Sequence, residues 1–188
     1  MIETLKYHAT SFDLTQEQTL LELAKKNPEE FAPLYNKYYE QIFRFIYKRF
    51  DDKDQAFDLT QFVFLKAINN LYKFEFRGVP FSSWLYRIAV SEINNFYRSQ
   101  KKQRTVNIDS VAINSIIEEL HETKIEHYHD KIVSIIAQQL NERELQLIEM
   151  RFFEKRSYKE IGEIVKISEN NAKVKTYRVL EKLKQILK

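Results

Sequence analysis

The sequence predicts an all-α fold. Only two glycines and three prolines interrupt 188 residues, which leaves little material for hairpins. Leu, Ile, Lys, Glu and Gln are abundant, and apolar side chains recur at intervals of three and four along most of the chain. The absence of cysteine excludes disulfides and thiolate metal sites, and suits a reducing cytoplasm. The opening "MIETLKYHATSFDLTQEQ" lacks the apolar core of a signal peptide, and no stretch approaches the ~18 apolar residues of a membrane span. A soluble, cytoplasmic protein without membrane insertion is the expectation.

The first helix is expected over 30–50, where Phe31, Leu34, Tyr35, Tyr38, Ile42, Phe45 and Ile46 form a stripe. A second follows over 51–72, with Leu59, Phe62, Val63, Ala67 and Leu71 at helical spacing. Next comes an aromatic tract, Tyr72, Phe74, Phe76, Phe81, Trp84 and Tyr86, broken by Gly78 and Pro80. Most of these rings suit a core, leaving one or two for a ligand. A third helix is predicted to start at Ser82 or Ser83, either of which can cap it. Leu85, Ala89, Ile93 and Phe96 would face inward, with Arg87, Ser91, Asn94 and Arg98 on a separate polar stripe. Periodicity fades over 105–125, which predicts a tether carrying a short helix at 113–121. It returns from Asp130 to Lys188. Two small helical domains, 1–104 and 130–188, are therefore expected, joined by a short flexible linker at 105–129.

The chain ends on two helices separated by a short turn. Ser157 and Glu160 have the spacing of a capping box, and Ile161, Ile164 and Val165 supply an inward face. "KIS" makes the turn, and Ser168 can cap the next helix. There Ala172, Thr176, Val179, Leu183 and Ile186 share one stripe, while Asn171, Lys175, Arg178 and Lys182 share another. One buried face and one Asn/Lys/Arg face are what phosphate and base-edge contacts require, and the spacing is that of a helix-turn-helix. Charge agrees: residues 66–104 carry eight Lys/Arg against two Glu, and 140–188 carry twelve against eight, so two basic blocks flank an acidic segment.

Other site chemistries fit poorly. His121, His127, His129 and Asp130 are zinc ligands by type, but His127 and His129 fall on different sides of a helix. Asp51, Asp52, Asp54 and Asp58 lack the accompanying His/Glu constellation of a metal nuclease. There is no phosphate-cradling glycine loop and no nucleophile–base motif. No catalytic residue, metal or cofactor is expected, and the protein is read as a non-enzyme.

Four segments, in order, resemble one family. "FAPLYNKYYEQIFRFIYKRF", "AFDLTQFVFLKA" and "FRGVPFSSWLYRIAVSEINNFYR" resemble region two of bacterial RNA polymerase sigma factors, and 140–187 resembles region four. Having only these two regions is similar to the extracytoplasmic-function group of the sigma-70 family. The resemblance implies a region-two bundle that binds the clamp coiled coil of the polymerase largest subunit and melts the minus-ten element. It implies a region-four domain that reads the minus-thirty-five duplex and touches the polymerase flap. An anti-sigma factor is a further partner that the group suggests.

Carried onto this chain, polymerase binding falls to Asp58, Gln61, Phe62, Leu65 and Ile68. Minus-ten contacts fall to Trp84, Arg87, Ser91, Asn94, Asn95, Arg98, Lys101 and Lys102, and minus-thirty-five contacts to Asn170, Asn171, Lys173, Lys175, Arg178 and Lys182. Arg104 extends the basic surface beyond the minus-ten set. The chain departs from the family in three places. Phe62 stands where an acid is usual, leaving it either on the polymerase face or in the core. The loop after "FRG" is short, and "ENNAKVK" replaces the frequent Gly-Thr-Val. The alternative reading is a stand-alone helix-turn-helix regulator that binds duplex DNA without polymerase.

Overall fold

The computed structural model describes residues 11–50, 52–100, 110–120, 136 and 138–187. They form two compact units, one containing α1–α4 and the other α5–α8. Among the described residues there is no strand. In the first unit, α1 spans Ser11–Lys26, α2 Ala32–Tyr47, α3 Lys53–Asn69 and α4 Phe81–Gln100. Asn27 turns the chain between α1 and α2: its side chain accepts the Glu29 N–H at 3.2 Å ahead of a single 3₁₀ turn. Asp52 caps α3 by accepting the Asp54 N–H at 2.8 Å, so one of the four clustered acids already has a structural task.

Helices α2, α3 and α4 pack on one another. Leu34, Tyr38, Ile42, Phe45 and Ile46 of α2 meet Ala56, Val63, Phe64 and Ala67 of α3 and Leu85, Tyr86, Ala89 and Ile93 of α4, all buried. Phe81 is central to the aromatic tract, with ring centroids 5.2 Å from Phe74, 5.4 Å from Trp84 and 6.0 Å from Phe31. Val63 and Ala67 of the expected stripe are buried in phase with Ala56 and Thr60, whereas Phe62, which the sequence left open between core and surface, is 48% exposed. Thr60 fits there because its hydroxyl donates to the Ala56 carbonyl at 2.7 Å.

The start of α4 also departs from expectation. The helix begins at Phe81, and Ser82 and Ser83 are buried inside its first turn. Its capping acceptor is Glu17 of α1, whose carboxylate takes the Phe81 N–H and the Tyr38 hydroxyl and pairs with Lys37 Nζ at 2.9 Å. An anion at a helix N-terminus satisfies a free amide and complements the helix dipole. Glu17 thus fastens α1, α2 and α4 together.

In the second unit, α5 spans Ser110–Glu119, α6 Glu142–Ile148, α7 Tyr158–Val165 and α8 Glu169–Leu187. The middle of the expected tether is therefore helix, and that helix is packed. Ile113, Ile116, Ile117 and Leu120 join one buried cluster with Ile136, Ile148, Phe152, Val179, Leu180 and Leu183. The second domain accordingly starts by Ser110 rather than at 130. The remaining parts of the tether, including the histidine cluster at 121–130, lie outside the described residues.

Both expected caps of the terminal pair form. Ser157 and Glu160 make a reciprocal capping box on α7, and Ser168 Oγ accepts the Asn171 N–H at 3.3 Å. Between them Lys166 adopts left-handed backbone (φ 58°), closing α7 without a glycine. Gly162 is required for a different reason: a Cβ there would lie 2.7 Å from the Ile167 carbonyl oxygen. Only glycine lets α7 approach the turn so closely.

Two outcomes follow. Glu17→Ala strips the Phe81 amide and the Tyr38 hydroxyl of their acceptor and should cost about 2–4 kcal/mol in urea unfolding, with Glu17→Gln costing about half as much or less. Gly162→Ala should cost about 1–3 kcal/mol, because the clashing partner is backbone.

Candidate polymerase and promoter interfaces

Three faces of the molecule carry the residues that the sequence singles out. The first is the outer side of α3. Asp58, Phe62 and Leu65 are exposed there, and Gln61 and Ile68 are half-buried at its edge. Gln61 is held in place by the Tyr35 hydroxyl, 3.2 Å from its amide nitrogen. Lys66 Nζ lies 5.9 Å from the centre of the Phe62 ring. Sequence reasoning missed Phe57, which is also exposed. Its signal was phase, since it stands out of step with Ala56, Thr60 and Val63. A ladder of rings on α2, Tyr39–Phe43–Tyr47, stacks nearly parallel at 6.0 and 5.7 Å and reaches an exposed Tyr47.

The second face is on α4, opposite Ala89 and Ile93. Ser91, Asn95 and Arg98 are exposed, and Arg87 and Asn94 are half-buried beside them. Arg98 donates to the Asn95 amide oxygen at 3.2 Å, so the two share one conformation. Trp84 belongs to the same stripe but is half-buried, committed to Phe74 and Phe81 at 5.3 and 5.4 Å. The most exposed ring of the aromatic tract is instead Tyr72. Lys101, Lys102 and Arg104 lie outside the described residues.

The third face is on α8. Ala172, Thr176, Val179, Leu180 and Leu183 are buried, and Asn170, Asn171, Lys173, Lys175 and Arg178 are exposed. Ile186, expected inside, is exposed near the helix end. Lys182 lines the same groove as Asn170, Lys173 and Arg178 and also makes contacts within the unit. Its ammonium donates to the Gln139 carbonyl at 2.8 Å and to Glu144 at 2.9 Å, clasping α8 to the capped start of α6. There Asn141 and Glu144 form a second capping box. Burial alone would raise the Glu144 pKa; the hydrogen bonds from Lys182 and the Asn141 N–H, with the Lys182 charge, outweigh it and hold the carboxyl below its ordinary value.

Among the described residues, no three His, Asp or Glu side chains converge as a metal site would require. No described helix is long and apolar enough to cross a membrane.

Comparison with known proteins places these faces in a family. The chain matches the model of sigma-70 region 2 over residues 34–103 and that of sigma-70 region 4 over 137–185. It is 31% identical over 159 residues to the RNA polymerase sigma factor SigZ of Bacillus subtilis, covering 82% of this chain and 85% of SigZ. The chain belongs to the sigma-70 family. It is a sigma factor of the extracytoplasmic-function group, like BldN of Streptomyces coelicolor, with which it shares 24% identity over 181 residues (95% of this chain and 69% of BldN). In fold it resembles CnrH, solved in complex with the cytosolic domain of CnrY (TM-score 0.58, 18% identity, 91% and 96% coverage). The sigma factor thus binds core RNA polymerase and directs transcription initiation at promoters. A region-two match is what a stand-alone helix-turn-helix regulator would lack. Helices α1 and α5 both lie outside the matched segments, yet each contributes buried groups to its unit.

The Lys182 clasp yields a pH-dependent outcome. A carboxyl whose folded pKa is depressed adds stability above its unfolded value of about 4.3, and that stability is lost as pH falls through the folded value. Lys182→Ala should lower the melting temperature of the sigma factor slightly at neutral pH, by up to about 1 kcal/mol in stability. The gap from wild type should close as the pH is taken below about 4. Thermal melts of both proteins across an acid series check this.

Proposed function

We propose that the three faces divide the work of promoter recognition. The outer side of α3, with Asp58, Gln61, Phe62, Leu65 and Ile68, docks on the polymerase clamp. Exposed Phe57 extends it. The polar stripe of α4, with Arg87, Ser91, Asn94, Asn95 and Arg98, holds the minus-ten element, and Lys101 and Lys102 add phosphate contacts. Trp84 supports that stripe from its aromatic cluster. Helix α8 enters the major groove of the minus-thirty-five element with Asn170, Asn171, Lys173, Lys175 and Arg178. Lys182 acts as a clasp that orients α8. The protein carries out no bond chemistry of its own, works in the cytoplasm and needs no cofactor.

The observation that carries this reading is that α4 and α8 each turn an Asn/Arg-bearing face away from a closed apolar core. The exposed amides and cations of both stripes suit nucleic acid. On the precedent of CnrH, solved with a protein bound to it, we further propose that an anti-sigma factor holds this chain away from polymerase.

Run-off transcription with core polymerase and genomic promoter fragments tests the reading: wild type should initiate at discrete sites, and the protein alone should bind duplex weakly. Phe62→Glu should melt like wild type and lose about tenfold or more in core binding, since burying an exposed Phe is worth about 1.5–3 kcal/mol. Arg178→Ala should lose about 1–3 kcal/mol at one base position if that residue reads a base edge. Tight dimeric binding to a palindrome without any polymerase-dependent transcript would overturn the assignment.

A further inference from the structure

We propose that Val174 is a specificity-determining residue of α8, reading the C5-methyl group of a thymine in the minus-thirty-five major groove. The inference rests on the placement of α8 in that groove and adds a contact that charge and hydrogen bonding do not supply.

Val174 is 39% exposed, although it lies in the middle of the first half of a helix whose apolar residues are otherwise mostly inside. It is two residues from both Ala172 and Thr176, which are fully buried, so the helical turn carries it to the opposite side. Packing within the unit therefore gives no reason for an apolar side chain there. Helix formation gives none either, since a β-branched residue is a poorer helix former than the Lys, Glu or Gln usual on a solvent face.

Its surroundings specify the occupant. Val174 lines an open groove along α8 with Asn170, Lys173, Tyr177 and Arg178, which continues past Glu181 to Lys182 and Gln185. Asn171 and Lys175 stand on its other flank, and no acid occurs between Glu169 and Glu181. An apolar spot among three cations and two amides, with Glu181 the one acid lining the groove, is on balance complementary to an anionic surface that itself carries apolar spots. The DNA major groove is such a surface: asparagine amides match adenine N6 and N7, and the thymine methyl is the one apolar group it presents. An Asn and a Val one helical turn apart can thus read an A·T-containing step together.

Stiffness favours the same reading. In a helix valine keeps essentially one χ1 rotamer, so its methyls sit at a fixed place before DNA arrives. The shoulder beside it is also buttressed. The Tyr177 ring lies 6.3 Å from that of Tyr158, over which the Arg151 guanidinium sits at 4.7 Å.

The test uses the full chain assembled with core polymerase. Promoter fragments are first selected from a genomic library by this holoenzyme, and each thymine of the upstream element is then replaced singly by deoxyuridine, which removes only the methyl. Competition binding of wild type should weaken by about fourfold at one position or two adjacent ones, as expected for exposing one buried methyl. Val174→Ala, with an unchanged melting temperature, should bind the thymine-containing promoter less tightly and show no further loss on deoxyuridine replacement. Deoxyuridine that is neutral throughout the element for wild type, or equally harmful to both proteins, would overturn the assignment. So would a Val174→Ala defect confined to a protein complex. Failure of the holoenzyme to select any upstream motif would instead overturn the placement of α8 in the promoter.

Discussion

The N-terminus of α4 is capped by a carboxylate 64 residues away in sequence, and the first unit is organised around that contact. Glu17 is almost wholly buried, and its oxygens reach the first amide of α4, the Tyr38 hydroxyl of α2 and the Lys37 ammonium. A buried anion is tolerated only when donors surround it, and here they come from two other helices. The position of α4 is thus tied to α1 and α2 before any DNA is present. The side chains that this fixes are Arg87, Ser91, Asn95 and Arg98, the stripe proposed for the minus-ten element. The second unit solves the same problem with shorter reach. Glu160 answers Ser157 and the buried Arg156 at the start of α7, and Glu144 answers Asn141 and Lys182 at the start of α6. In both units, acids at helix starts thus fix how neighbouring helices are joined.

That distinction explains what could be read from the sequence. Caps whose two halves lie within three residues were visible, and so Ser157–Glu160 and Ser168 appeared where they were expected. The cap of α4 was not, because its acceptor is close only after folding; Ser82 and Ser83 were better local candidates and are buried in the first turn instead. Lys182 shares a helical stripe with Asn171, Lys175 and Arg178, and nothing local separates them. The contacts of Lys182 with Gln139 and Glu144 became visible only with the return of the chain there. The isoleucines at 113, 116 and 117 were correctly placed on a helix, but their burial depends on a surface made by Phe152, Val179 and Leu183, far along the chain.

Phe62 shows a different limit. Its spacing from Val63 and Ala67 allows either side of α3, and the sequence leaves both open. The structure puts it outside, beside Asp58 and Leu65, so the departure from the family's usual acid falls on a surface rather than in a core. Substituting an aromatic for an acid at a docking face exchanges a charge contact for apolar burial, which is less sensitive to salt. On the proposed docking face, Phe57, Phe62 and Leu65 thus add exposed apolar surface beside Asp58.

In the proposed complex, two separate units of one chain touch two separate promoter elements. Site-specific photocrosslinking in the open complex addresses this arrangement most directly, with a benzophenone side chain placed at Asn95 or at Asn171 in the full chain bound to core polymerase and promoter. Position 95 should label the non-template strand of the minus-ten element, whereas position 171 should label duplex in the minus-thirty-five element. Labelling of the same element from both positions, or of neither, would contradict it.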